Sequence, residues 1–190
     1  MKVLLIENDR KHAEQVENRL RKFNPTFKVD TVRAGEASVD TLLKKKYEAV
    51  VLDQQLPSRD AAQLVAQLKK SGHDAPIVVL AGNANGSVSI KTVNNGAADV
   101  VVNGNDYLAL LPEVVQKSIE QHRLESKFQT LILNSKRKLQ NTFDGITDII
   151  FQINQKHEIT MANRSFANLC QTQPDKLIGR KYHEVFCRCD

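Results

Sequence analysis

The sequence predicts an α/β domain built on a five-stranded, parallel, doubly wound sheet, then a long helix, then an incomplete α+β segment. Three observations predict it. Short β-branched runs alternate with helical patterns five times over the first 105 residues, as crossovers in a parallel sheet require. The runs Leu4-Leu5-Ile6, Val50-Val51-Leu52, Ile77-Val78-Val79-Leu80 and Val100-Val101-Val102 are continuously apolar. Strands read that way when helices cover both faces of the sheet. Between Pro112 and Gly145 the chain has no proline or glycine, and its apolar residues recur at helical spacing.

Taken in order, strands are expected at 2–6, 27–32, 49–53, 76–81 and 99–103, and helices at about 9–23, 35–46, 60–71 and 86–95. Gly96 stands where a left-handed cap would close the fourth helix. Pro112 suits a first helical turn, so the long helix is expected from about 113 to 141. Its apolar residues include Val115, Ile119, Leu124, Phe128, Leu131, Ile132, Leu139 and Phe143, spaced mostly by three, four or seven. The first two turns are expected to pack on the sheet. The stripe beyond, through Leu124, Phe128, Leu131 and Leu139, would lie in water unless a partner helix covered it, so a parallel coiled-coil homodimer is expected. After Gly145, Asp148–Asn154 and Glu158–Ala162 read as a hairpin, and 163–170 as a helix. A lone hairpin is unstable, so these last residues are expected to open a domain.

Bulk properties remove several function classes. Apolar residues make up 41% of the 190 residues and charged ones 26%, a soluble globular composition. No apolar run approaches the ~20 residues a membrane span needs. The four apolar residues before Glu7 are too few for a signal-peptide core, so a cytoplasmic location is expected, with no membrane partner. The net charge is +5, but the excess is spread thinly, and Lys44-Lys45-Lys46 and Lys136-Arg137-Lys138 are the only short clusters. Such runs are solvated helix faces, and no nucleic-acid partner is expected. The three cysteines, Cys170, Cys187 and Cys189, are odd in number, which argues against a disulfide framework. Cys187 and Cys189 alone do not supply the four ligands of a structural zinc site.

Ligands of a doubly wound sheet gather at the C-terminal ends of its strands. The residues at those ends are Glu7-Asn8-Asp9, Asp53, Ala81-Gly82 and Asn103-Gly104. Together with Leu56-Pro57, Pro76–Leu80 and Gly96-Ala97-Ala98-Asp99, in this order and spacing, the first ~120 residues resemble the receiver domain of two-component response regulators, which has a flavodoxin-like fold. The resemblance implies that Asp53 is the phosphoacceptor. It also implies a Mg²⁺ site from Glu7, Asn8, Asp53 and the backbone carbonyl of Gln55, a switch hydroxyl at position 81 and a phosphate-pairing lysine at position 103.

Here the sequence departs from the family. Asn8 replaces the acid that normally contacts the metal, Ala81 replaces the Ser or Thr, and Asn103 replaces the lysine. Mg²⁺ favours charged oxygen ligands, so two carboxylates in place of three weaken it. An alanine methyl donates no hydrogen bond to a phosphoryl group, where a charge-assisted one is worth roughly 1.5–3 kcal/mol. Asn103 keeps a donor but loses the cation. Asp144-Gly145-Ile146 through Phe151–Asn154, Ile159–Phe166 and Leu177-Ile178-Gly179 resemble the opening of a PAS sensor domain, with no ligand identifiable.

The expected organisation is therefore a receiver at 1–121, a helical linker at 122–143 and the N-terminal part of a PAS domain at 144–190. The expected function is a non-enzymatic phosphorelay module that has weak or lost phosphoacceptance at Asp53 and acts by protein–protein interaction. The alternative is a working phospho-accepting receiver of a hybrid sensor kinase or similar protein. A histidine kinase or other signalling protein is the expected partner. An aspartate-nucleophile phosphohydrolase would want an acid two residues after Asp53, where Gln55 stands, and a dinucleotide site would want glycines in Glu7-Asn8-Asp9-Arg10.

Overall fold

The computed structural model describes residues 1–33, 46–56, 60–82, 95–102 and 106–186. The helices expected at 35–46 and 86–95 fall almost wholly outside the described residues, as do Pro57, Asn103, Cys187 and Cys189. The chain divides into two compact units, Met1–Ser126 and Lys127–Asp190.

In the first unit, β1 (Lys2–Ile6), β2 (Lys28–Val32), β3 (Ala49–Asp53), β4 (Ile77–Ala81) and β5 (Asp99–Val102) form one sheet in the order β2-β1-β3-β4-β5. Every pairing is parallel. The alternation of side chains along each strand sorts the apolar runs onto two faces. Leu4, Ile6, Val50, Leu52, Ile77 and Val79 pack with Leu64, Val65 and Leu68 of α2 (Ala61–Lys70). Val3, Leu5, Val51, Val78, Leu80 and Val101 pack with Val16 and Leu20 of α1 (Arg10–Phe23), and with Leu111, Val115 and Ile119 of α3 (Tyr107–Gly145). Helices on both faces make the fold doubly wound, and the strand order reverses between β1 and β3.

The termini of these helices follow from their sequences. Asp9 caps α1, its side chain accepting from the backbone N–H groups of Lys11 and His12, while Arg21 and Lys22 lie in the last turn, opposite the partial negative charge there. Asp60 caps α2 through the Ala62 N–H.

The long helix departs from expectation at its start. It begins at Tyr107, so Pro112 lies inside it and not in its first turn. A proline in that position removes the N–H that would reach the carbonyl four residues back. That carbonyl belongs to Leu108, and it accepts from the Arg19 side chain at 3.2 Å. A donor from α1 thus replaces the missing backbone one, and the helix runs through the proline to Gly145. Leu124, Phe128, Leu131 and Leu139 are all about two-thirds exposed. Among the described residues no helix is long and apolar enough to cross a membrane.

The second unit holds β6 (Phe151–Ile153), β7 (Ile159–Ala162), α4 (Arg164–Leu169), a 3₁₀ turn at Pro174–Lys176 and α5 (Tyr182–Phe186). The two strands pair antiparallel with a register shift after Gln152, and His157 takes the left-handed conformation in the turn (φ 62°). The core is Ile159, Ala162, Phe166, Ala167, Leu177 and Val185, with Phe151 stacked on Phe166. The first strand starts at Phe151, three residues later than expected from the sequence. Asn163 is fully buried and explains this. Its side chain accepts from the N–H groups of Ile150 and Phe166 and donates to the carbonyls of Ile146 and Asp148. The segment before β6 is therefore held mainly by this one side chain, with the Asn163 backbone N–H donating to the Ile150 carbonyl and the Ser165 hydroxyl to that of Ile146.

Replacing Asn163 with alanine removes the side-chain partner of the Ile150 and Phe166 N–H groups and of the Asp148 carbonyl in a partly buried site. The expected cost is about 2–3 kcal/mol of stability in the second unit, read as an earlier unfolding transition for that unit in urea while the receiver transition stays in place.

Candidate functional site

The site lies where the strand order reverses, at the C-terminal ends of β1 and β3. The register that pairs Ile6 with Leu52 sets Glu7 and Asp53 side by side. Glu7 is 3% exposed, an unusual place for a carboxylate. Its Oε1 accepts from the backbone N–H groups of Asn8 and Asp9 at 2.8 and 2.9 Å. Its Oε2 meets Nδ1 of His12 at 2.5 Å. The other ring nitrogen of His12 meets the hydroxyl of Tyr107 at the start of α3. Asp53 is half-buried, and its Oδ1 accepts from the Gln55 N–H at 3.2 Å.

Burial pushes the Asp53 carboxyl above its usual range. The Gln55 N–H opposes this, the neighbouring Glu7 charge adds to it and His12 offsets part of it. Burial, then the charges of Glu7 and Asp53, push the Tyr107 phenol up as well.

All the residues expected in the site except Asn103, which lies outside the described residues, can be placed. Glu7 and Asp53 come together. Asn8 follows Glu7 directly and gives it its backbone N–H. Asp9 also lines the cleft, but its Oδ1 caps α1 and it is not among the three clustered ligand residues. The Gln55 side chain lies over Gly82, where a β-carbon would fall 2.4 Å from Gln55 Nε2. Ala81 closes β4 and is buried, so its methyl presents no donor at the strand end. Leu56 is buried as well.

The sequence reading missed His12 and Tyr107. One ligand atom from each of Glu7, His12 and Asp53 lies within 4.8 Å of the others. A usable signal existed for His12: with Asp9 as cap, position 12 sits one turn into α1, on the side facing back over strand 1. No local pattern marks Tyr107, which reaches the site from 95 residues away. The cleft is also lined by Lys11 and Gln15. For a divalent cation the donor set is suitable: two adjacent carboxylates, one raised in pKa partly by the other, and an imidazole.

With this geometry in view, the chain can be compared with known proteins. Residues 3–111 match the family profile of the response regulator receiver domain, and residues 137–190 match that of the PAS fold. The chain belongs to the response regulator receiver family, a class of signal-transduction modules, and carries a PAS region that starts within the last turns of its long helix. It is 25% identical over 113 residues to the transcriptional regulatory protein PcoR of Escherichia coli, covering 60% of this chain and 49% of that protein. It is 30% identical over 121 residues to the cell cycle transcriptional regulator CtrA of Caulobacter vibrioides, covering 62% and 52%. The chain thus spans about half the length of these relatives.

Among solved structures, NtrX of Brucella abortus superposes with a TM-score of 0.59 at 19% identity, over 78% of this chain and 36% of that one. The receiver domain of the sensor histidine kinase PA1611 of Pseudomonas aeruginosa, which holds a magnesium ion in its active-site cleft, gives 0.54 at 23% identity, over 63% and 97%. At these identities the structures establish the fold.

The raised Asp53 pKa carries a signed consequence. The folded state holds the Asp53 proton more tightly than the unfolded state does. This contribution to stability is fully present below the ordinary value of 3.8 and is lost as pH rises from there through the raised value. Asp53→Asn is therefore expected to be more stable than the parent protein at pH 7, with the advantage shrinking towards about pH 3.5. Urea unfolding of both proteins at the two pH values measures it.

Proposed function

We propose that this chain is a degenerate receiver whose phosphoacceptance at Asp53 is weak or lost, and which acts by protein–protein interaction. The observation that carries the reading is the end of β4. By the resemblance Ala81 falls on the switch position; it ends β4, is buried, and has no hydroxyl to offer a phosphoryl oxygen. Asn8 in place of an acid, and Asn103 in place of the lysine, support it from the sequence. A phosphoryl group at Asp53 would bring charge beside the buried Glu7, with the hydrogen-bond donor and the cation that normally offset it removed. Mg²⁺ would be held weakly, through Glu7, Asp53, the amide of Asn8 and the Gln55 carbonyl.

The second reading is a working phosphoacceptor. It is favoured by Asp53 itself, which stands at the strand end beside Glu7 with Lys11 also lining the cleft. Incubating the full chain with a small phosphodonor and Mg²⁺, then measuring its intact mass, decides between them. No stoichiometric phosphate adduct is expected. Rapid addition of one phosphate per chain, abolished by Asp53→Asn, would establish the working receiver.

The partner we propose is a histidine kinase or another signalling protein in the cytoplasm, with neither nucleic acid nor a membrane involved. We take 1–121 as the receiver, 122–143 as the linker and 144–190 as the start of the PAS domain. The linker pairs with a second copy in parallel through Leu124, Phe128, Leu131 and Leu139, whose exposure in one chain supports the idea. The strict seven-residue repeat breaks after Leu131: Ser135 takes the next core position and Leu139 follows it by four. A four-residue insertion of this kind locally unwinds a coiled coil and does not end it. By light scattering the chain is expected to be a dimer and Leu131→Asp a monomer; a monomeric parent at high concentration would remove the dimer.

A further inference from the structure

The described residues place an imidazole in a cleft where the receiver resemblance calls for oxygen ligands. Glu7 Oε1 is taken by two backbone N–H groups, which fixes the carboxylate and turns Oε2 towards Nδ1 of His12. Asp53 completes a group of three ligand atoms within 4.8 Å. The Nε2 side of the same ring is held by the Tyr107 hydroxyl. Without an ion, Nδ1–H donates to Glu7 Oε2; an ion entering the cleft displaces that proton, the ring takes the tautomer in which Nε2–H donates to the Tyr107 hydroxyl, and Nδ1 is then free to ligate. A metal-bound histidine is oriented in the same way, with its outer nitrogen anchored by a neighbouring acceptor.

We propose that this cleft takes a borderline divalent transition-metal ion of the zinc class in preference to Mg²⁺, with Glu7 Oε2, His12 Nδ1 and Asp53 as its protein ligands and Tyr107 positioning the imidazole. The proposal rests on the reading of this cleft as the metal pocket of the receiver, and changes which metal it selects.

Three features carry it. Magnesium wants an octahedron of oxygens and gains little from nitrogen, while imidazole suits zinc, cobalt and nickel. Zinc bonds nitrogen and carboxylate oxygen at about 2.0–2.2 Å, so a group of ligand atoms already this close needs only small side-chain movements to close on an ion. Two carboxylates and a neutral imidazole also sum to a charge that a divalent ion balances. The substitution of Asn8 for an acid removes a third carboxylate, which hard magnesium needs more than zinc does. The fourth position of the ion is left to water or to an incoming group, as in open zinc sites.

The test uses the full chain with Cys187 and Cys189 both changed to serine, so that their thiols bind no metal. Titration calorimetry with Zn²⁺ and separately with Mg²⁺ gives the affinities, and visible absorption with Co²⁺ reports nitrogen ligation. Zinc is expected to bind one ion per chain at least about tenfold more tightly than magnesium. His12→Ala is expected to weaken zinc by about 10–100-fold, to leave magnesium within about twofold and to change the cobalt spectrum. Circular dichroism checks that the variant is folded, and His12→Gln serves as a second variant if it is not. Magnesium binding as tightly as zinc, or zinc affinity unchanged in the folded His12 variant, would overturn the proposal. These readouts are independent of phosphorylation. A phosphate adduct at Asp53 would sink the degenerate-receiver reading and leave the metal preference standing.

Discussion

A carboxylate as buried as Glu7 persists only when fixed donors compensate its charge, and the site grows around that requirement. Its compensation comes from three directions. Two are the backbone N–H groups of Asn8 and Asp9, available because the chain turns from strand to helix at that point. The third is the His12 ring, available because Asp9 caps α1 and so fixes where its first turn lies. The parallel register of β1 with β3 then brings Asp53 alongside. A shift of one residue between those strands would carry the alternating apolar side chains to the wrong faces, so the packing of both cores enforces the meeting of the two acids.

The long helix depends on a comparable local exchange. Pro112 removes one backbone donor, and the Arg19 side chain supplies another to the Leu108 carbonyl. Two consequences follow. The helix can begin early enough for Tyr107, its first residue, to reach His12. Its opening turns also lie against β-strand side chains through Leu111, Val115 and Ile119, so one continuous helix both completes the receiver core and leads into the apolar stripe beyond it. The helix whose first residue, Tyr107, borders the cleft is thus the one that carries the apolar stripe.

Much of the receiver was legible in the sequence because its cause is local. Continuous apolar runs identify buried parallel strands, and the five strand positions agree with the structure to within one residue at either end. The start of the long helix was misjudged because a proline is read by its own backbone preference, and the Arg19 side chain that offsets it comes from another element. The first strand of the second unit was placed too early because Ile149 and Ile150 continue the apolar run of β6, whereas the Asn163 side chain takes the Ile150 N–H and the Asp148 carbonyl. In both cases a side chain distant in sequence took over the duty of a backbone hydrogen bond.

The site divides in the same way. By itself the sequence determined that Asp53 ends a buried strand and that Glu7 follows another, for which residue identity and strand periodicity suffice. That Asn8 and Ala81 replace an acid and a hydroxyl is what the resemblance to receivers implies. Only the tertiary structure decided that an imidazole stands between the acids and a phenol, since the contact of His12 with Tyr107 joins residues far apart in the chain. It also decided that Asp9, although at the rim of the cleft, caps α1. Such facts depend on which atoms three-dimensional packing brings within hydrogen-bonding reach, a property of the folded chain that no local pattern encodes.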